Sequence, residues 1–251
     1  QYELDREEDD GAGEPSLTEM TEKAIDMLSK RNDDKGFFLL VESGRIDHAH
    51  HDGNAKRAMV DTVEFMSAIQ KALDMTDEKD TLIIVTADHS HVYTMGGYSL
   101  RGNPILDVVD QAALEEEPAN DNHTYLTLMY ANGPGPIREL NLTEQDTRAD
   151  DYLQTVAVQL KYETHGGDDV AIYARGPMAH LFYGTHEQSY IAHVMGYASC
   201  VGANQDHCDD DARQELCPDN AGSPSMRTQA IAILWSILLC VYFVDQHVYI
   251  G

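Results

Sequence analysis

Two short strings gather side chains of the kind that ligate metal ions. Asp47-His-Ala-His-His51 and Asp88-His89-Ser-His91 each lie just beyond an apolar run. Divalent zinc accepts neutral imidazole nitrogen and carboxylate oxygen, and a catalytic zinc site takes about three such ligands while keeping one position open. Asp47 and His51 are four residues apart, so a single helical turn would put them on one face. Asp88 and His89 are adjacent, so both can bind only where the backbone turns. Two metal ions about 4 Å apart are the arrangement used for in-line phosphoryl displacement. Glu42, at the tip of the first apolar run, is a hard oxygen donor better suited to magnesium. One histidine alone usually belongs to the surface or to a hydrogen-bonded core. Titratable groups crowded at two run ends point to a metal site.

The elements that would position these groups are legible as periodic patterns. Ser16-Leu-Thr-Glu19 reads as a capping box ahead of Met20, Ala24, Ile25, Met27 and Leu28, which are spaced for one face of a helix ending near Asn32. Residues 37–41 form a continuous apolar run of strand length, as expected of a strand covered on both faces. Met59, Val63, Met66, Ile69 and Leu73 recur at helical spacing, and residues 81–86 form a second strand-like run. Helix, strand, helix, strand is the alternation of a parallel sheet with crossover helices, so the predicted class is α/β. In such sheets ligands bind beyond the carboxyl ends of the strands, which is where both strings fall. Residues 96–163 are rich in Gly, Pro, Asn and acids, with a short strand at 125–130, and read as an insertion. Residues 170–173 read as a returning strand and 188–199 as a helix. The expected organisation is a core over 1–95, the insertion over 96–163, a return to the core over 164–208 and a tail over 209–251.

Composition narrows the partners. A chain of 251 residues, 42% of them apolar, can bury one sizeable core. Seventeen Lys and Arg against 44 Asp and Glu give a net charge of -27, which repels nucleic acid and anionic lipid. The four cysteines, Cys200, Cys208, Cys217 and Cys240, lack the close spacing of a zinc knuckle; Cys200 and Cys208 could close a small disulfide loop. Two N-glycosylation acceptor patterns, at Asn122 and Asn141, point separately to an oxidising, extracellular setting. The opening Gln1-Tyr-Glu-Leu-Asp-Arg reads as the middle of a longer protein. At the other end, small residues at 220–223, a polar spacer over 224–229 and an apolar run over 230–244 match a glycolipid-anchor signal; the other reading is a buried terminal helix.

Taken in order, Phe37-Phe-Leu-Leu-Val-Glu42-Ser-Gly-Arg-Ile-Asp47-His-Ala-His-His51, Thr86-Ala-Asp88-His89-Ser-His91, Gly96-Gly-Tyr98-Ser-Leu-Arg-Gly and Glu163-Thr-His165-Gly-Gly-Asp-Asp-Val-Ala closely resemble animal alkaline phosphatases, from about Tyr2 to Cys208. The resemblance implies a parallel-sheet sandwich core with helices on both faces and a small cap, or crown, insertion. It makes Asp47, His51 and His165 ligands of one zinc, Asp88 and His89 ligands of a second, and Glu42 a magnesium ligand. His48 would lie beside the site without binding metal. Glu14 stands where the family's calcium site has Asp, which makes calcium a further possible cofactor. Tyr98 would reach toward the partner subunit of a homodimer, Cys200 and Cys208 would be the C-terminal disulfide, and the protein would be held by a glycolipid anchor on the outer face of the plasma membrane, or secreted.

Two positions depart from the family pattern: Ser43 and Ala49 stand where glycines are usual, a harmless change if the backbone there avoids positive φ. The family attacks phosphate with a Ser in an Asp-Ser-Ala motif, and this chain has no Asp-Ser dipeptide. The implied reaction is hydrolysis of phosphate monoesters through a phosphoserine intermediate, with this chain carrying metal ligands but no nucleophile. A related metallohydrolase for phosphodiesters or sulfate esters, and a non-catalytic metal-binding protein, are the alternatives.

Overall fold

The computed structural model describes residues 1–8, 13–30, 36–116, 118–138, 141–208 and 238–243. In chain order the helices are α1 (Glu3–Glu8), α2 (Leu17–Ser29), α3 (Arg45–His51), α4 (Ala55–Met75), α5 (Gln111–Glu116) and α6 (Tyr190–Ala198). The strands are β1 (Phe37–Glu42), β2 (Thr81–Val85), β3 (Ser90–His91), β4 (Tyr93–Met95), β5 (Leu128–Gly133), β6 (Val156–Gln159), β7 (His165–Gly166), β8 (Tyr173–Arg175) and β9 (Leu238–Phe243). They form three small sheets, ordered β1-β9-β2-β8, β3-β7 and β4-β5-β6, so the chain is mixed α/β.

The capping box forms as read: Ser16 accepts from the Glu19 amide while the Glu19 carboxylate accepts from the Ser16 amide. The helix stops at Ser29, short of Asn32. Its buried stripe runs through Thr21 and Ile25, while Met20 and Met27 are exposed. The same correction applies to α4. Val63 and Met66 are each 62% exposed, and the buried ridge is Ala55, Ala58, Asp61, Phe65, Ala68 and Ala72. The expected stripe holds in part: Met59, Ile69 and Leu73 pack against the core, while the small alanines with Phe65 make the closest contacts and leave Val63 and Met66 outside.

Strand β2 meets the expectation of a strand buried on both faces. Ile83 joins Ile25, Val41, Ile46, Phe65 and Ala72 on one side, while Leu82 and Ile84 join Phe182, Ile191, Val194 and Ala198 on the other. Each Val, Leu, Ile or Phe side chain among them contributes roughly 1.5–3 kcal/mol on removal from water. Strand β1 differs: Phe37 and Leu39 pack on the helical layer, but Phe38 and Leu40 are exposed. The returning strand is β8, shifted to Tyr173–Arg175, and it pairs antiparallel with β2. The strand expected at 125–130 lies instead at Leu128–Gly133, between β4 and β6.

Most of the tail, and with it Cys217 and the small-residue site, lies outside the described residues. Its segment Leu238–Phe243, which includes Cys240, forms a strand rather than part of a terminal helix. Strand β9 runs parallel between β1 and β2, with Val241 level with Leu40 and Ile84. A six-residue apolar run has no need of water on either face, so it suits a central position. Among the described residues no helix is long and apolar enough to cross a membrane.

Two substitutions test this framework. A strand with neighbours on both sides has no spare amide, so Val241→Pro should cost about 1–3 kcal/mol, read as a lower urea midpoint at unchanged slope; an unmoved midpoint would show that the sheet does not depend on β9. Burial raises the Asp61 carboxyl to about 6, although the Glu3 amide donates to it and opposes the shift. Because the folded value is raised, the contribution of Asp61 is fully present below about pH 4 and is lost as pH rises through about 6. Asp61→Asn should therefore be the more stable protein at pH 7.5, by on the order of 2 kcal/mol, with the gain gone at pH 4 in denaturant titrations.

Candidate metal centre

Helix α3 begins three residues after β1 ends, and its seven residues put Asp47 and His51 on one face. Asp52 closes the helix through its amide to the carbonyls of His48 and His50. Gly53 follows at φ +72, donating to the His50 carbonyl; a Cβ there would sit in the left-handed region and 3.3 Å from Pro134. Asn54 then caps α4 by accepting from the Arg57 amide. The turn through Asp52, Gly53 and Asn54 leaves His51 at a fixed helix end. Positive φ among the described non-glycine residues is confined to Asn122, Met178 and Cys200, so Ser43 and Ala49 occupy ordinary backbone.

Beyond β2 the chain turns through Asp88 and His89 into β3, which pairs antiparallel with β7 so that His91 faces His165. Gly166 is required by this approach, since a Cβ there would lie 2.4 Å from Ser90 Oγ and 2.8 Å from the His91 carbonyl.

These segments converge on the Asp47 carboxylate, which is only 2% exposed. Its Oδ1 lies 3.0 Å from His91 Nε2, 3.2 Å from His51 Nε2, 3.6 Å from His165 Nε2 and 3.9 Å from His89 Nε2. His165 Nε2 and His51 Nε2 are 3.0 Å apart, and the His89 and His165 rings stack at 3.7 Å. Asp88 Oδ1 is 3.8 Å from His89 Nε2. Two three-ligand groups result, Asp47 with His51 and His91, and Asp47 with His89 and His165.

The other ring nitrogens are already engaged. His51 Nδ1 donates to the Glu163 carbonyl at 2.6 Å and His89 Nδ1 to the Ser90 carbonyl at 3.0 Å. A carbonyl can only accept, so both histidines carry their proton on Nδ1 and present Nε2. His51 Nε2 lies 3.0 Å from His165 Nε2 beside the Asp47 carboxylate, a contact that either a proton on His165 Nε2 or a metal ion between the rings satisfies. Buried atoms with no hydrogen-bond partner fit the same account: Glu42 Oε1, Asp47 Oδ1, Asp88 Oδ1, His89 Nε2 and His91 Nε2. Asp47 Oδ1 lies within ion-pair distance of imidazoles without aligned hydrogen bonds, as donor lone pairs around a cation would. The donor set of carboxylate and imidazole suits zinc.

Charge states follow from these neighbours. Burial works to raise the Asp47 carboxyl, but the His51 and His91 imidazoles hold it well below the usual carboxylate range. Asp47 raises His51. Burial opposes protonation of His91, yet Asp47 and Glu163 raise it to about 9. Burial and the neighbouring His89 lower His165. His50, behind the cluster, is pushed down to about 3 by burial and is neutral; its Nδ1 meets Tyr130 Oη at 2.8 Å.

The structure therefore brings together Asp47, His51, His165, Asp88 and His89, with Glu42 at the end of β1. His48 is exposed, next to Asp47 in the chain but outside the buried cluster. Glu14 joins no ligating group among the described residues; its carboxylate is 3.2 Å from the Gln1 amine. Tyr98, Asn122 and Asn141 are exposed, and Cys200 and Cys208 form a disulfide. His91 and Glu163 were not among the expected ligands. Their signal was the two-residue spacing from His89 and from His165, which on extended backbone returns side chains to one face.

The family model described as alkaline phosphatase matches residues 1–201. The chain belongs to the alkaline phosphatase family. It is 51% identical over 213 residues to the tissue-nonspecific alkaline phosphatase of Rattus norvegicus and 48% identical over 213 residues to that of Homo sapiens, covering 83% of this chain and 38% of each relative. The alkaline phosphatase of Gadus morhua is 47% identical over 209 residues, covering 81% of this chain and 42% of its own length. The chain thus spans about two fifths of these alkaline phosphatases.

A metal ion held by the group Asp47, His51 and His91 must displace protons on His51 and His91, both raised above free imidazole. Zinc affinity should accordingly climb between pH 6 and 9, by about tenfold per unit for each proton displaced. Competition with a chromophoric chelator measures this, and a flat profile would contradict it.

Proposed function

We propose that this chain carries the metal-binding part of an alkaline phosphatase that hydrolyses phosphate monoesters. The observation that supports it is the convergence of imidazole nitrogens from three segments on the buried Asp47 carboxylate, in a chain of this family. Asp47, His51 and His165 would hold one zinc, Asp88 and His89 a second, and Glu42 a magnesium ion. When bound, such ions supply positive charge to the attacking and leaving oxygens of a phosphoryl group and lower the pKa of water. The residues of the chain fix the donors. Asp47 draws the imidazoles inward, the Ser90 carbonyl holds the His89 ring, and Tyr130 packs His50 behind the cluster. His48, which is exposed next to Asp47 in the chain, would lie beside the site without binding a metal ion.

The nucleophilic serine of a phosphoserine route needs an Asp-Ser setting that these 251 residues lack, so the chain by itself is inactive and the complete protein acts. The wider reading assigns residues 96–163 to a crown-like insertion on a sandwich core. The exposed Tyr98 fits a homodimer contact. The exposed Asn122 and Asn141 and the Cys200–Cys208 disulfide fit a glycosylated extracellular protein. A glycolipid anchor rests on the tail pattern alone, and anchoring would remove the segment that here forms β9; calcium at Glu14 rests on the family position alone.

The purified 251-residue chain should bind zinc yet leave an aryl phosphate monoester intact, whereas the protein encoded by the complete transcript should hydrolyse the monoester well ahead of the matching diester and sulfate ester. Asp88→Ala in the complete protein should lower kcat at least 100-fold. Equal rates on diester and monoester would overturn the assignment, and zinc-dependent turnover by the chain alone would overturn its inactivity.

A further inference from the structure

Glu163 is 1% exposed and contacts the cluster through both its side chain and its main chain. Its Oε2 accepts from His91 Nδ1 at 2.6 Å and its Oε1 from the Val92 amide at 2.8 Å. Its carbonyl accepts from His51 Nδ1 at 2.6 Å, and its amide donates to the His51 carbonyl at 2.9 Å. A buried carboxylate is costly unless every lone pair is used, and here each partner lies on, or next to, a histidine whose Nε2 faces Asp47.

We propose that Glu163 is a positioning residue that aims two imidazoles at once, His51 through its carbonyl and His91 through its carboxylate, so that both Nε2 atoms converge on Asp47. The inference rests on the metal-centre reading and adds to it the residue that sets ring orientation before an ion arrives. Such partners of ligating imidazoles typically change metal affinity 10–100-fold when removed. The two arms are separable. A carboxylate accepts from both the Val92 amide and His91, while a Gln side chain has a single acceptor oxygen. The Val92 amide can only donate, whereas an imidazole can change tautomer, so Glu163→Gln keeps its oxygen on Val92 and turns its NH2 toward His91, whose Nδ1 gives up its proton, while the main-chain bond to His51 survives.

The test uses the full chain with zinc and cobalt(II) as probes. In the metal-free chain, the hydrogen-bonded Nδ1 protons of His51 and His91 should appear in the imidazole proton spectrum; Glu163→Gln should remove that of His91 and keep that of His51. Zinc affinity should fall 10–100-fold, and the cobalt visible bands should change shape. Glu163→Asp, which keeps the charge but shortens the reach, should fall between wild type and Glu163→Gln, and it carries the test if the Gln variant does not fold. Because Glu163 acts through His91, the affinity losses of Glu163→Gln and His91→Gln should not add in a double-mutant cycle. An unchanged His91 proton signal, wild-type zinc affinity in Glu163→Gln, or additive losses would each overturn the inference. Failure of the wild-type chain to bind either ion, with its proton signals present, would instead overturn the metal-centre reading.

Discussion

A single carboxylate in the interior organises this molecule. Asp47 is almost fully removed from water, where an unpaired charge would cost several kcal/mol. It is tolerated because nitrogens from His51, His89, His91 and His165 surround it. These histidines come from four places: the end of α3, the turn beyond β2, β3 and β7. Each of those elements must end at the right point for the carboxylate to be satisfied.

The supporting structure is accordingly built around short elements that could not stand alone. Helix α3 has seven residues, below the length at which a helix is stable in water. It is held by Ile46 in the core with Ile25 and Phe65, by Ala49 against Tyr2 and Ala58, and by the turn through Gly53. The two-residue strands β3 and β7 are held in register by Gly166. The region between Gly96 and Glu163 also takes part: Tyr130 on β5 packs with Ala55 and Val156 and reaches His50, while Gln154 accepts from the Ala55 amide. It forms one wall behind the cluster, and the bond between Asn54 and the Asp150 carbonyl ties it to the start of α4.

The charge of the chain bears on its chemistry in two opposite ways. A net charge of -27 attracts divalent cations and repels phosphate through the summed field. Bound ions are the largest local charges in such a site and reverse the sign of the potential there. On the proposed reading, a phosphate ester would approach this cluster only with cations in place, and metal binding would then precede substrate binding.

The alternation of helices and strands, the capping box at Ser16, the apolar strand run over 81–86 and the two strings of candidate ligands at strand ends are all legible in the chain. Local patterns carry these, because a cap, a strand run or an i,i+4 pair is written within a few residues. Which face of α4 is buried follows from packing between distant elements, which favoured its alanines over Val63 and Met66. Only the tertiary structure put part of the apolar tail, Leu238–Phe243, between β1 and β2. It also revealed that His91 and Glu163 belong with the cluster while His48 faces outward. Those outcomes depend on contacts between residues far apart in the chain, 72 positions for His91 and Glu163, and no local pattern encodes the direction in which two distant side chains will meet.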